Sequence, residues 1–152
     1  NVPVYEAKEY IQSYLKTYSG VAAYQHDIVE AARRDGYVKT MFGRRREVLD
    51  IYSKNKNVRA FAERVALNTP VQGTAADIIK LAMIRVHRRI REEGLHAKLV
   101  LQVHDELIVE AREDEAERAA AIVSEEMEHA AQLRVKLVAD VHTGKNWYEA
   151  KQ

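Results

Sequence analysis

The chain contains no cysteine, so neither a disulfide nor a thiolate-held metal can form. That absence suits the cytosol. No apolar run is long enough to span a membrane, and no secretory signal pattern stands at Asn1. No repeat and no low-complexity tract appears. Gly43, Gly73 and Gly94 form no phosphate-binding loop, and His87, His96, His129 and His142 lack metal-ligand spacing. Charge of one sign is also missing, since the net charge is +1. Its distribution is uneven, however. Residues 33–64 are rich in Arg and Lys, and a local basic surface holds a polyanion even when the total is near zero. Residues 106–128 are rich in Glu and read as a solvated acidic face.

What remains is a chain of 152 residues, 47% apolar, enough for a real core. Its centre is Leu99-Val100-Leu101-Gln102-Val103-His104-Asp105-Glu106-Leu107-Ile108-Val109-Glu110. Two apolar, β-branched runs flank a polar triplet, which predicts a hairpin with the triplet at its turn. No Asn-Gly or Gly-Gly makes that turn. The residues alone leave two readings open. One is an ordinary hairpin with a polar tip. The other is a pair of hard oxygen ligands, Asp105 and Glu106, suited to Mg²⁺, which keeps several waters and takes other ligands from phosphates.

Helices are expected around this hairpin. Ala7, Tyr10, Ile11, Tyr14 and Leu15 recur at helical spacing over 5–17. A second helix is expected over 21–34, stopped by Gly36 in a left-handed cap. Short strands at 37–41 and 45–48 would turn at Phe42-Gly43 and display Arg44-Arg45-Arg46. Three successive arginines must face solvent, acids or phosphate. A helix over 58–67 should end near Asn68, because Pro70 disfavours helix at Thr69, and a new helix should open at Pro70 and run to about Glu93. Its inward positions would be Val71, Ala75, Ile78, Ile79, Ala82, Met83, Val86 and Ile90, with Lys80, Arg88 and Arg91 opposite. A helix over 113–131 and an alternating strand over 134–141, pairing beside the hairpin, complete the pattern. The expected fold class is α+β: a small antiparallel sheet, made of the hairpin and a C-terminal strand, packed with amphipathic helices.

Four segments, in order, resemble the family A DNA polymerases, the DNA polymerase I family. They are Phe42-Gly43-Arg44-Arg45-Arg46, the stretch from Arg64 to Lys80, motif C at Gln102-Val103-His104-Asp105-Glu106, and the ending Asn146-Trp147-Tyr148-Glu149-Ala150-Lys151. The resemblance spans essentially the whole chain. It implies a DNA-directed DNA polymerase that transfers nucleotides with two Mg²⁺ ions. In that reading Asp105 is the metal-binding aspartate, Glu106 its accessory neighbour, and His104 lies near the primer terminus. Arg64, Asn68 and Gln72, four residues apart, contact the primer-template minor groove, and Arg44 and Arg45 contact DNA. Residues 1–67 correspond to fingers-side helices and the basic hairpin, and 68–152 to a palm portion.

The family's motifs A and B, with its other catalytic aspartate and its nucleotide-binding lysine, arginine and tyrosine, have no equivalent here. The chain therefore reads as a C-terminal part of the enzyme. By itself it is expected not to extend a primer, to need an upstream polymerase fragment that also brings the dNTP, and to act in the bacterial cytoplasm at the nucleoid with no membrane partner. Two other readings are a non-catalytic DNA-binding or assembly module, and an unrelated Mg²⁺-dependent phosphoryl-transfer domain using Asp105 and Glu106.

Overall fold

The first two helices form as their spacing predicts. The computed structural model describes residues 2–151, with α1 at Val4–Thr17 and α2 at Ser19–Asp35. Gly36 closes α2 at φ 77°, its N–H donating to the Ala32 carbonyl at 2.9 Å. Only glycine reaches that left-handed cap without steric cost. The chain then enters β1 (Tyr37–Lys39), which pairs antiparallel with β2 (Arg45–Glu47). Gly43, at φ 81°, donates to the Thr40 carbonyl at 2.9 Å and lets the chain reverse. A 3₁₀ turn over Leu49–Tyr52 follows. Its Tyr52 hydroxyl donates to the Arg33 carbonyl at 2.7 Å, tying the turn to the end of α2.

The expected break before Pro70 does not occur. α3 runs unbroken over Lys56–Glu92 with Pro70 inside it. Proline removes one intrahelical donor and crowds the carbonyl four residues back, at about 3 kcal/mol. Burial offsets this. Ala62, Ala66 and Thr69 are all buried on one side of the helix, and Ala62 and Ala66 join Ala32, Val38, Val48 and Ile51 in one apolar cluster. Thr69 donates its hydroxyl to the Val65 carbonyl at 2.7 Å, and Thr74 donates to the Pro70 carbonyl. Val71 and Ala75, expected inward, are exposed; helical phase sets them on the side of α3 opposite the buried Ala62, Ala66 and Thr69.

The chain divides into two compact units, one up to Thr74 and one from Ala75 on. In the second, α3 stops in a paired cap. Leu95 N–H donates to the Ile90 carbonyl at 3.1 Å and Gly94 N–H to the Arg91 carbonyl at 3.2 Å, with Gly94 at φ 69°. Ile90 and Leu95 pack in the same apolar cluster, completing the cap and aiming the chain into the next strand. That strand, β3 (Ala97–Val103), pairs antiparallel with β4 (Glu106–Ala111). The register is Ala97↔Ala111, Leu99↔Val109, Leu101↔Ile108, Gln102↔Leu107 and Val103↔Glu106, with Val100 as the extra residue of a bulge. Leu107, Val109 and Ala97 pack on Val86, Ile90, Ile122 and Val123. The last two come from α4 (Ala116–Glu128), which a 3₁₀ turn at Glu113–Glu115 introduces.

The expected C-terminal strand is absent. Among the described residues, 134–141 make no ladder. The alternation survives, since Leu137, Ala139 and Val141 are half-buried and Val141 packs on the cluster. A strand also needs a partner for its backbone. Here the Ala139 N–H goes to the Glu128 carboxylate at 3.4 Å instead. The fold class is α+β with two separate two-stranded sheets. A short α5 (Trp147–Ala150) follows.

An ion network joins α3 to α4. Arg118 forks onto Glu93 at 2.6 and 2.7 Å, while Arg89 reaches Glu93 at 3.0 Å, Glu125 at 2.5 Å and Glu126 at 3.0 Å. The hydrogen bonds from Arg118, then those from Arg89, hold the Glu93 carboxyl below the usual carboxylate range. A lowered native pKa adds stability above the unfolded-state pKa, and that stability is lost as pH falls through the native value. Thermal unfolding from pH 6 to pH 3 should therefore fall less steeply for Glu93→Gln than for the parent. Parallel curves would show that the network carries no acid sensitivity.

Candidate functional site

The hairpin tip is built against a backbone preference. Val103 and Glu106 close a two-residue turn, and His104 at its first central position has φ 52°. Glycine is the usual residue there. A non-glycine residue in the left-handed region costs on the order of 1–3 kcal/mol and persists only where its surroundings hold it. Gln102 supplies part of that hold. Its side-chain amide donates to the His104 carbonyl at 2.5 Å. By register Gln102 shares a face with Leu107, on the core side of the ladder, so the bond ties the turn to the rooted face. The sequence showed Gln102 only as part of a motif. The missing glycine was the signal that some side chain must hold this turn.

His104, Asp105 and Glu106 are all exposed at the tip. Their surroundings differ. Glu106 Oε1 accepts an ion pair from Lys151 Nζ at 3.2 Å. Among the described residues no cation is paired with Asp105. Nor do the described residues bring together three or more acidic or imidazole side chains able to hold a metal. One or two carboxylates completed by water and phosphate oxygens nevertheless fit Mg²⁺. The tip offers that donor set and no more.

A second candidate surface lies on the first unit. Because α3 is continuous through Pro70, Arg64, Asn68 and Gln72 fall one turn apart on one face, and all three are exposed. The Arg64 guanidinium lies 5.8 Å from the centre of the Phe61 ring. The basic hairpin is clamped to the same helix. Thr74 Oγ1 accepts from Met41 N–H at 2.9 Å, and Arg44 donates to the Gly73 carbonyl at 3.0 Å. A Cβ on Gly73 would sit 2.7 Å from the Thr40 methyl, so glycine is what admits the hairpin.

The three arginines consequently divide. Arg44 turns onto the helix beside Gln72. Arg46 points towards Thr69, 3.5 Å from its hydroxyl. Arg45 lies over the Tyr37 ring at 4.6 Å, with Lys39 over the same ring at 5.4 Å. Lys39, Arg45 and Tyr37 thus form an outward basic and aromatic face. Tyr37 and Lys39 were not singled out from the sequence.

No helix among the described residues is long and apolar enough to cross a membrane. A family model for DNA polymerase family A matches residues 1–149. DNA polymerase I of Bacillus caldotenax is 53% identical over 151 residues, and that of Geobacillus stearothermophilus 54%. Each match covers 99% of this chain and 17% of the relative. The chain thus spans about a sixth of the length of the relatives it matches. Among solved structures, the POL domain of Pol1 from M. smegmatis, in complex with DNA primer-template and dNTP, superposes with a TM-score of 0.94 at 44% identity. The match covers 99% of this chain and 27% of that one.

Proposed function

Because the chain belongs to DNA polymerase family A, we propose that it is one part of a larger DNA-directed DNA polymerase acting on primer-template DNA. Residues 1–67 form a fingers-side portion and 68–152 a palm portion. The remaining parts supply the second catalytic carboxylate and the dNTP-binding residues. The observation that carries this reading is the turn at 103–106, where a strained His104 backbone sets Asp105 in the open at the end of a rooted ladder.

In this role Asp105 holds a cation through its carboxylate, and Glu106 stands beside it as an accessory acid. Two Mg²⁺ ions in the assembled site would activate the primer hydroxyl and stabilise the leaving pyrophosphate. His104 orients the primer terminus, and Gln102 keeps the turn in place. Arg64, Asn68 and Gln72 donate to the minor groove, where every Watson–Crick pair presents an N3 or O2 acceptor. Such contacts grip DNA without reading its sequence and are lost when a mispair displaces the acceptor. Arg45 and Arg44 add contacts to the DNA backbone. The enzyme would work at the bacterial nucleoid.

Gln72→Ala in the complete polymerase tests the minor-groove face. Losing one neutral hydrogen bond costs about 0.5–1.5 kcal/mol. Single-turnover extension should slow by about two- to tenfold for all four matched primer ends. It should slow less for mismatched ends, so discrimination shrinks. An unchanged matched-to-mismatched ratio returns Gln72 to an ordinary polar surface.

For the 152 residues by themselves a DNA-binding or assembly role is the second reading. It is favoured by the lack, among the described residues, of any three-ligand metal cluster.

A further inference from the structure

The C-terminal segment has no part in the chemistry above, yet it is closely built. Asn146 caps α5, its Oδ1 accepting from the Glu149 N–H at 3.0 Å and its Nδ2 donating to Glu149 Oε1 at 2.8 Å. Lys145 N–H donates to the other Glu149 oxygen at 3.0 Å. A Cβ on Gly144 would lie 2.8 Å from the Ala150 nitrogen, so only glycine lets the chain fold back this tightly. What this construction sets in place is Lys151. Its ammonium lies 5.0 Å from the centre of the Trp147 ring and 3.2 Å from Glu106 Oε1.

Asp105 and Glu106 are consecutive, and both would draw a divalent cation. The protein supplies a positive charge to one of them and, among the described residues, none to the other. We infer that Lys151 is a positioning residue: it holds the Glu106 carboxylate as an internal counter-ion and so leaves Asp105 as the metal ligand of this hairpin. The inference rests on the metal-binding reading of Asp105. Mg²⁺ demands near-ideal octahedral geometry. A second, mobile carboxylate beside Asp105 would attract the ion more strongly while pulling it out of place. The ring of Trp147 and the cap at Asn146 limit where Lys151 can go, which lets an exposed pair keep one geometry.

Lys151→Met in the complete polymerase separates binding from catalysis. Mn²⁺ is titrated into the enzyme with a 3′-deoxy-terminated primer-template, and the free ion is read by electron paramagnetic resonance. Mn²⁺ should bind about two- to fivefold more tightly than to the parent, the size expected of an exposed ion pair. The Mg²⁺ concentration for half-maximal extension should fall in step while kcat drops. Lys151→Arg should restore both. In a Glu106→Gln background the Lys151 substitution should no longer change Mn²⁺ affinity. Unchanged Mn²⁺ affinity in Lys151→Met, or an equal shift with and without Glu106, overturns the inference. Asp105→Asn is the control. If it weakens Mn²⁺ binding while Lys151→Met does nothing, the counter-ion role fails and the metal reading stands. If Asp105→Asn also leaves binding unchanged, the metal reading itself has failed.

Discussion

Asp105→Asn in the complete polymerase should lower single-turnover primer extension by at least about a hundredfold, with primer-template affinity within about twofold of the parent. Asparagine keeps the shape of the side chain and removes its charge. A metal held by charge contributes several kcal/mol to the transition state, and each 1.36 kcal/mol is tenfold in rate. DNA affinity, by contrast, comes chiefly from cationic contacts to phosphate, which this change leaves alone. Asp105 is exposed on a turn, so the substitution leaves no buried group unsatisfied. A rate within a few-fold of the parent would remove Asp105 from the chemistry. The hairpin would then be an ordinary one with a polar tip.

Ile122→Ala should produce the largest loss of stability. Ile122 is fully buried, among Val86, Ile90 and Val123, with Leu107 and Val109 packed on the same cluster. Truncating a buried isoleucine costs about 2–5 kcal/mol, the lost transfer energy plus the cavity left behind. The damage falls on the root of β4, whose other end carries the tip. Amide exchange at Leu107, Ile108 and Val109 should speed by about thirtyfold or more, at 1.36 kcal/mol per decade. Protection equal to the parent's would show that the ladder does not depend on this cluster. The strained turn should lose definition as well, because Gln102 holds it from the face that Leu107 roots.

Most of the local structure could be read from residue pattern. The spacing in α1, α2 and α4, the Gly36 cap and the two antiparallel pairings depend on neighbours close in sequence, and they appear where expected. The misreadings share a cause. Pro70 disfavours helix locally, but burial on the side of Ala62, Ala66 and Thr69 outweighs it, and that burial depends on Ala32, Val38, Val48 and Ile51 from other elements of the chain. Residues 134–141 alternate as a strand does, yet alternation cannot show whether a ladder partner is within reach; Glu128 takes the Ala139 amide instead. The site was legible to the same degree. Asp105 stood out as one of two adjacent carboxylates at a turn, and the turn is where it was expected. The bond from Gln102 to the turn, the clamp of Arg44 on Gly73 and the pairing of Lys151 with Glu106 were not visible. Each depends on side-chain reach across a reversed chain, which spacing does not encode.

The bulge at Val100 has a consequence for how the hairpin tolerates change in length. Below it Ala97 and Leu99 stand opposite Ala111 and Val109; above it Gln102 stands opposite Leu107, on the face of Val109, while Leu101 stands opposite Ile108 on the other face. The extra residue is a half-period phase shift between the root of β3 and its tip. Side chains alternate with period two, so one residue fewer would put the root and the tip in antiphase with their present faces. Gln102 would swing away from Leu107, and the carboxylates would leave the end of the ladder on the opposite side. Chain length in this strand therefore acts as an address for the tip. Substitutions along β3 can be graded in their effects, whereas a single insertion or deletion is all or none.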